Sequence, residues 1–278
     1  MPFCRELKKD FATKKEMFTA IKAAEKEIIG LKKAAVKYSD PLSYHLKSTG
    51  TTKDDSQTVT LAVGDTIYPI INTTNYLDSH GDVHLDGIWD LSIKDQKNKL
   101  YYIINHDLEI GKVIGYPRDV EASVKTMQWS ELGFDYTGTT QALMFAVKLT
   151  DKSNKDFLAA ALDKEDLQNS VRMRYVSFIL CMESSDAEFA TENNNFYKYL
   201  PKIANKEKAL EQGYYWAVSQ AAIEKEGSAV LYGSNDATPI LYEEPKTDPG
   251  STNQVEGKQI EPAEGSSTIN KSLHTFFI

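Results

Sequence analysis

Acid–base chemistry by an imidazole has few candidates in this chain of 278 residues, because it contains only five histidines. His106 stands out among them, since it follows the apolar run LYYIIN and directly precedes Asp107. The end of a strand is a rigid place from which to present an imidazole, so His106 is a candidate general base. Its position alone nevertheless favours the simpler interpretation, a half-buried histidine whose ring nitrogens are satisfied by hydrogen bonds.

Serine chemistry needs more than a serine, because the hydroxyl attacks only when a base takes its proton and a third group orients that base. Ser170, Ser177 and Ser228 lie in or near predicted strands, and Glu224 and Glu226 shortly precede Ser228. Such a trio can be scattered along a sequence, so spacing does not identify it, and each serine taken singly fits a structural role. The chain has no GxSxG elbow, Walker loop, GxGxxG or CxxC motif.

A metal site is a weaker alternative, suggested by His80 and His84 in the segment DSHGDVHLDG. Two histidines four residues apart suit a metal when a helix places both on one face, but Gly81 and the aspartates indicate a loop. A metal-dependent hydrolase built on His80, Asp82 and His84 therefore ranks below a polar loop whose side chains bond the backbone.

Composition excludes several classes of protein. The 32 basic and 40 acidic residues give a net charge of −8, which disfavours nucleic acid as the main partner. No apolar run approaches a membrane span, and the N-terminal residues lack the apolar core of a signal peptide. Cys4 and Cys181 cannot form a disulfide framework, so we expect a cytoplasmic protein.

The elements that must position these residues fall into three predicted regions. Residues 1–45 form a basic amphipathic helical leader, in which Thr13 and Glu16 have capping-box spacing. Its predicted apolar stripe is Met17, Ile21, Ala24, Ile28, Leu31 and Ala35, and its lysines, Lys32 included, cover the remaining surface. We favour a helix packed on its own domain over one that binds a partner or a membrane surface.

Residues 55–242 form the predicted folded domain, of the α+β class, because short β-rich runs from residue 58 onwards alternate with a few helical pieces. Helices are expected at 154–167, 196–200 and 205–212, and strands at SVRMRYVSFILCM, YYWAV and SAVLYG. This texture suggests a barrel or a strongly curved sheet. Residues 243–278 are rich in Pro, Gly, Ser, Thr and Glu and are predicted to be a disordered polar tail.

Three ordered elements of the sequence, the third of them a pair of segments, together resemble the prohead (capsid-maturation) serine proteases of tailed bacteriophages. NYLDSHGDVHLDGIW resembles the family's Asp-x-x-Gly-Asp loop, and IINHDLEIGKVIG resembles its His-Asp strand. LQNSVRMRYV is similar to its Ser-Val-Gly strand, and the later segment with EKEGSAVLYGSN is similar to its Glu-x-Ser strand and the turn that follows. The resemblance covers about residues 58–241.

The resemblance implies catalysis by Ser170 as nucleophile, His106 as general base and Glu226 as the acid that orients His106. Glu224 stays as a neighbouring candidate, because the insertion between the serine and glutamate strands is long. The implied fold is a mostly antiparallel β-barrel flanked by helices, as in herpesvirus maturation proteases. No metal or organic cofactor is implied.

The implied activity is endopeptidase cleavage of scaffold and major capsid protein segments inside the viral procapsid, in the host cytoplasm, commonly with self-cleavage. The chain could be a homo-oligomer, and neither nucleic acid nor membrane is an expected partner. One residue departs from the family pattern, since Arg172 stands where the family has the glycine of Ser-Val-Gly. A requirement for a positive φ there would favour the alternative function, a non-catalytic protease-like protein that binds capsid or scaffold. The Arg172 guanidinium could instead pair with a substrate carboxylate or with Glu226.

Overall fold

The computed structural model of the chain describes residues 1–36, 61–163, 165, 167–235 and 237–242. The predicted tail at 243–278 lies outside the described residues, as does the first half of the predicted strand at 58–63. Residues 61–63 of that prediction are described and form no strand.

Six α-helices are interspersed among eleven strands along the described residues. The α-helices are α1 Lys14–Ala23, α2 Glu25–Ala34, α3 Asp90–Asp95, α4 Lys155–Leu162, α5 Ala190–Tyr199 and α6 Lys206–Gln212. The strands are β1 Phe3–Cys4, β2 Lys9–Asp10, β3 Thr66–Thr73, β4 Asp82–His84, β5 Tyr101–Ile104, β6 Val113–Gly115, β7 Val120–Gln128, β8 Thr139–Lys148, β9 Gln168–Met182, β10 Tyr214–Val230 and β11 Ile240–Leu241. This mixture confirms the predicted α+β class.

The first large sheet is built around the long strand β10. Strand β9 pairs with it in antiparallel fashion along one side, and β4 and β5 pair in parallel with successive parts of the other side. Strand β6 extends the sheet as the antiparallel neighbour of β5. The C-terminal ends of β5 and β10 therefore lie together, with Ile104 opposite Ala229.

The second large sheet is antiparallel, in the order β11-β3-β8-β7. Its Ile71 and Phe145 share a buried cluster with Val171 and Ala229 of the first sheet. Gly227 permits this close approach, because a Cβ atom there would lie 2.9 Å from both Ile71 and Phe145. Among the described strands the hydrogen-bonded order does not close into a barrel.

The N-terminal helices pack against the end of β9 and the start of β10. Met17, Phe18, Ile21 and Ile28 are buried in a cluster with side chains of those strands, including Trp216. Thr13 caps α1 by accepting a hydrogen bond from the N–H of Glu16, whereas the Glu16 carboxylate accepts from Ala12. No helix among the described ranges is long and apolar enough to cross a membrane.

The predicted apolar stripe is wrong at its C-terminal end. Ala24 separates α1 from α2, yet Met17, Ile21, Ile28 and Lys32 share one buried face, because they recur at spacings of four and seven residues. This face includes Lys32 in place of the predicted Leu31, which is 64% exposed.

Two further boundaries differ from prediction. The predicted strands YYWAV and SAVLYG form one continuous strand, β10, because β9 pairs with β10 almost throughout its length, and this strand ends at Val230, before Leu231. The helix predicted at 154–167 ends at Leu162, before the chain enters β9.

Candidate active site

His106 lies in a left-handed turn at the end of β5. Asn105 and His106 have φ angles of 52° and 56°, which are unfavourable for residues with a Cβ atom. The N–H of Asn105 donates to the carbonyl oxygen of Ala229, and the N–H of Asp107 closes the turn on Ile104. The turn thus bends the chain back over β10, and non-glycine residues held in this conformation are often found at functional sites.

The turn brings the His106 ring to a carboxylate that is 120 residues away in sequence. His106 Nδ1 lies 2.8 Å from Glu226 Oε1, and the two side chains are only 7% and 0% exposed. A carboxylate in this position fixes the ring orientation and stabilises the imidazolium that forms when the other ring nitrogen takes a proton.

Ser228, two residues after Glu226 on β10, contacts both His106 and Glu226. Its hydroxyl donates to Glu226 Oε2 at 2.8 Å and accepts from the N–H of His106 at 3.0 Å. Glu226 and Ser228 share a face because they are two residues apart on a strand, and Gly227 between them faces the core. Ser228 is fully buried.

A β-bulge positions Glu226. Between the pairs Ile223–Met173 and Gly227–Val171, three residues of β10 oppose only Arg172 of β9. Lys225, in the middle of the bulge, has a φ of 68°. Bulges re-aim side chains next to functional sites, and this one separates the two glutamates that the sequence left as alternatives.

Glu224 has different partners from Glu226. It pairs with Arg174 and lies 3.7 Å from the Nε of Arg172. Arg172 is part of strand β9 and is not among the described non-glycine residues with positive φ, so its backbone does not require a glycine. Of the two glutamates, Glu226 is therefore the one that contacts His106.

Ser170 lies on β9 directly opposite Ser228. Residues paired in this way have Cβ atoms about 4.5–5.5 Å apart on the same face of the sheet. Ser170 is 7% exposed and borders a narrow cleft that is also lined by Asn72, Ser234 and Asn235. Ser177, by contrast, is seven positions further along β9, about 23 Å away at the usual rise of a strand.

Two of the three residues considered for metal binding, His84 and Asp82, have protein partners. His84 contacts Asn72 and Tyr175 through its two ring nitrogens, at 2.9 and 2.8 Å. Asp82 forms a buried ion pair with Lys32. His80 lies in the turn before β4, and no group of three or more potential metal ligands occurs in the part of the chain that the structure describes.

Sequence reasoning missed two features of this site. Ser228 was considered as a nucleophile, whereas its hydroxyl bonds both Glu226 and the His106 backbone. The signal was the alternation Glu-Gly-Ser, which places both polar residues on one face of a strand. Asn235 was overlooked as well, although its buried side-chain amide bonds Thr73 and orders the turn beside Ser170.

Comparison with known proteins does not assign the chain to a family, because no protein-family model, curated protein or solved structure matches it.

Proposed function

We propose that the chain is a serine endopeptidase in which Ser170 is the nucleophile, His106 the general base and Glu226 the acid that orients His106. The observation that carries the proposal is the 2.8 Å contact between His106 Nδ1 and Glu226 Oε1, made by a residue in the turn after β5 and a residue of β10. Ser170 is the serine that fits the nucleophile, because it borders the cleft, whereas Ser228 is fully buried and donates its proton to Glu226.

The proposed reaction assigns one step to each of these residues. His106 takes the Ser170 hydroxyl proton as the oxygen attacks the scissile carbonyl, and Glu226 stabilises the resulting imidazolium. The imidazolium then gives the proton to the leaving amine, and a water molecule hydrolyses the acyl-enzyme with the same base.

The oxyanion formed on attack needs an N–H donor near Ser170. The N–H of Asn169 bonds Thr238, on the side of β9 away from β10. Because N–H directions alternate along a strand, the N–H of Val171 points to that side too, and Val171 also borders the cleft. We assign it as an oxyanion donor.

The resemblance of the sequence motifs to prohead proteases extends the proposal to the substrates and the fold. It supports scaffold and capsid-protein segments in a phage procapsid as substrates, and a fold related to that of herpesvirus maturation proteases. The alternative is a protease-like assembly protein that binds the same partners without cleaving them.

The proposal is tested by labelling with a fluorophosphonate probe, followed by peptide mass spectrometry to locate the adduct. We expect an adduct on Ser170 that disappears in Ser170→Ala and in His106→Ala, because the probe requires an activated serine. Ser177→Ala is the matched control, since it removes the same hydroxyl from a distant position of the same strand and should leave labelling unchanged.

Ser170→Ala should keep the far-UV circular dichroism spectrum and shift the melting temperature by only a few degrees, because a serine beside a cleft contributes little packing. Folded wild-type protein that stays unlabelled, also in the presence of capsid and scaffold proteins, would exclude the catalytic proposal and favour the assembly protein.

A further inference from the structure

Ser228 contacts both members of the proposed His106–Glu226 pair. Its hydroxyl hydrogen goes to Glu226 Oε2, while its oxygen receives the backbone N–H of His106. Glu226 therefore has its Oε1 on the imidazole and its Oε2 on Ser228, a division that fixes the rotation of the carboxylate. The group is buried, so its hydrogen bonds do not compete with bulk water.

We propose that Ser228 is a positioning residue for the His106–Glu226 pair, an inference that rests on the serine endopeptidase function proposed above. The His106 turn has two consecutive left-handed residues, and β10 holds it through Ala229, Ser228 and Glu226. Of these three contacts, the one with Ser228 joins the backbone of His106 to the carboxylate that its ring contacts. Loss of the hydroxyl would leave the carboxylate free to rotate and the turn free to relax.

The test compares Ser228→Ala, which removes both hydrogen bonds, with Ser228→Thr, which keeps a hydroxyl. We expect Ser228→Ala to slow fluorophosphonate labelling of Ser170 by about 10- to 100-fold, by analogy with the loss seen when a group that orients a metal-binding histidine is removed. Ser228→Thr should restore labelling to within a few-fold, and Ser177→Ala should match wild type. If the additional methyl group of Ser228→Thr prevents folding, Ser228→Cys supplies a hydrogen-bonding side chain of nearly the same size.

A measurement independent of catalysis uses the full chain with ¹⁵N-labelled histidine. The His106 Nδ1–H proton should be protected from solvent exchange in wild type and should exchange faster in Ser228→Ala. An unchanged His106 signal in Ser228→Ala would overturn the positioning role, whatever happens to labelling. A wild-type protein that shows the protected proton but no labelling would instead contradict the endopeptidase function alone.

An independent observation concerns exposed apolar side chains around the same end of the sheet. Leu108 and Ile110, in the loop after His106, are 58% and 85% exposed. Leu231 and Tyr232, directly after β10, are 62% and 58% exposed. The two pairs follow strands whose ends are adjacent, because β5 and β10 are parallel and Ile104 pairs with Ala229. We call these four residues the apolar rim.

We infer that the apolar rim binds the substrate as an extended polypeptide with bulky apolar side chains next to the scissile bond, which again rests on the proposed function. The argument is continuity with the site. Ser170 is two residues from Gln168, which pairs with Val230, and Leu231 and Tyr232 directly follow Val230, so one side of the rim begins close to the proposed nucleophile. Burial of such side chains on binding removes apolar surface from water.

The rim is tested by binding, so that cleavage is not needed. In the Ser170→Ala background we expect a fluorescein-labelled decapeptide with leucine at alternate positions to bind, and its serine-substituted counterpart to bind at least about 10-fold more weakly. Leu108→Ser with Ile110→Ser should weaken the leucine peptide by a similar factor.

Leu91→Ser is the matched control, because Leu91 on α3 is 56% exposed. An equal effect of Leu91→Ser, or no effect of the rim variants, would overturn the proposal. A rim variant that changes the oligomeric state in light scattering, while peptide binding stays unchanged, would assign the surface to a second copy of the chain instead.

Discussion

At the scale of single residues, the candidate site combines backbone strain with buried charge. A left-handed conformation costs about 1–2 kcal/mol for a residue with a Cβ atom, and Asn105 and His106 both adopt it. The bonds to Ala229, Ser228 and Glu226 offset this cost, since a buried hydrogen bond contributes about 1 kcal/mol and one to a charged group contributes more.

The two neighbouring glutamates allow a direct test of the acid. Glu226→Gln should lower kcat/KM by as much as about 10⁴-fold, because an amide does not hold the imidazole in one tautomer or stabilise its charged form. Glu224→Gln is the matched control, and it should keep activity while costing less than about 1 kcal/mol of stability, because its partners are partly exposed arginines. Equal losses in the two variants, measured by cleavage kinetics and thermal melting, would contradict the assignment.

At the scale of elements, the sequence predicted the type of most strands but not their register. Strand β9 was recognisable from its own β-branched and aromatic residues. The pairing of Ser170 with Ser228, and the bulge that separates Glu224 from Glu226, depend on contacts between distant segments, which local patterns do not contain. The residue types of the site could therefore be named from motifs, whereas the contact between His106 and Glu226 could not be derived from their spacing.

The second helix buries a charged residue, because that residue finds buried partners of opposite charge. Lys32 of α2 faces Asp82 of β4 and Glu6, and its ammonium lies over the ring of Trp216. Burial alone lowers the pKa of the Lys32 ammonium, but the charges of Asp82 and Glu6 outweigh it and raise that pKa above its ordinary value of 10.5. Lys32 thus fastens α2 to the first sheet.

Removal of the Lys32 charge should destabilise the protein strongly. Lys32→Ala leaves the carboxylate of Asp82 buried without this partner, and we expect a loss of about 3–5 kcal/mol in urea denaturation at pH 7. Lys33→Ala, at the exposed neighbouring position of the same helix, should change stability by less than about 0.5 kcal/mol. A loss in Lys32→Ala no larger than that in Lys33→Ala would show that the pair is not stabilising.

The same pair predicts a dependence on alkaline pH. Because folding raises the pKa of Lys32, its contribution is fully present below about pH 10.5, the value in the unfolded chain, and is lost as the pH rises through the folded value. The stability difference between wild type and Lys32→Ala should therefore be constant from pH 7 to 9 and shrink above pH 10.5. A difference that stays constant at pH 11 and above would contradict this origin.

At the scale of the whole molecule, residues 1–36 pack on the first sheet through a set of buried side chains. Glu6 accepts hydrogen bonds from Tyr214 and Trp216 of β10, at 2.9 and 2.8 Å. Cys4 is fully buried in the cluster that contains Trp216, and Cys181 of β9 is fully buried next to Tyr215. The two thiols therefore report on the N-terminal segment and on the sheet separately.

We expect both cysteines to become reactive together, when the protein unfolds as one unit. Burial raises the pKa of the Cys4 thiol, and it raises the pKa of Cys181 to about 12. For Cys181 this lowers the thiolate population at pH 8 on the order of 10³-fold relative to a free thiol, so iodoacetamide should modify neither residue in the native protein. Alkylation across a urea series, read separately for each cysteine by mass spectrometry, should give one common midpoint that matches the loss of circular dichroism. Modification of Cys4 at lower urea than Cys181 would mean that the N-terminal segment opens while the sheet stays folded. In that case the ion pair between Lys32 and Asp82 would not suffice to couple the unfolding of α2 to that of the sheet.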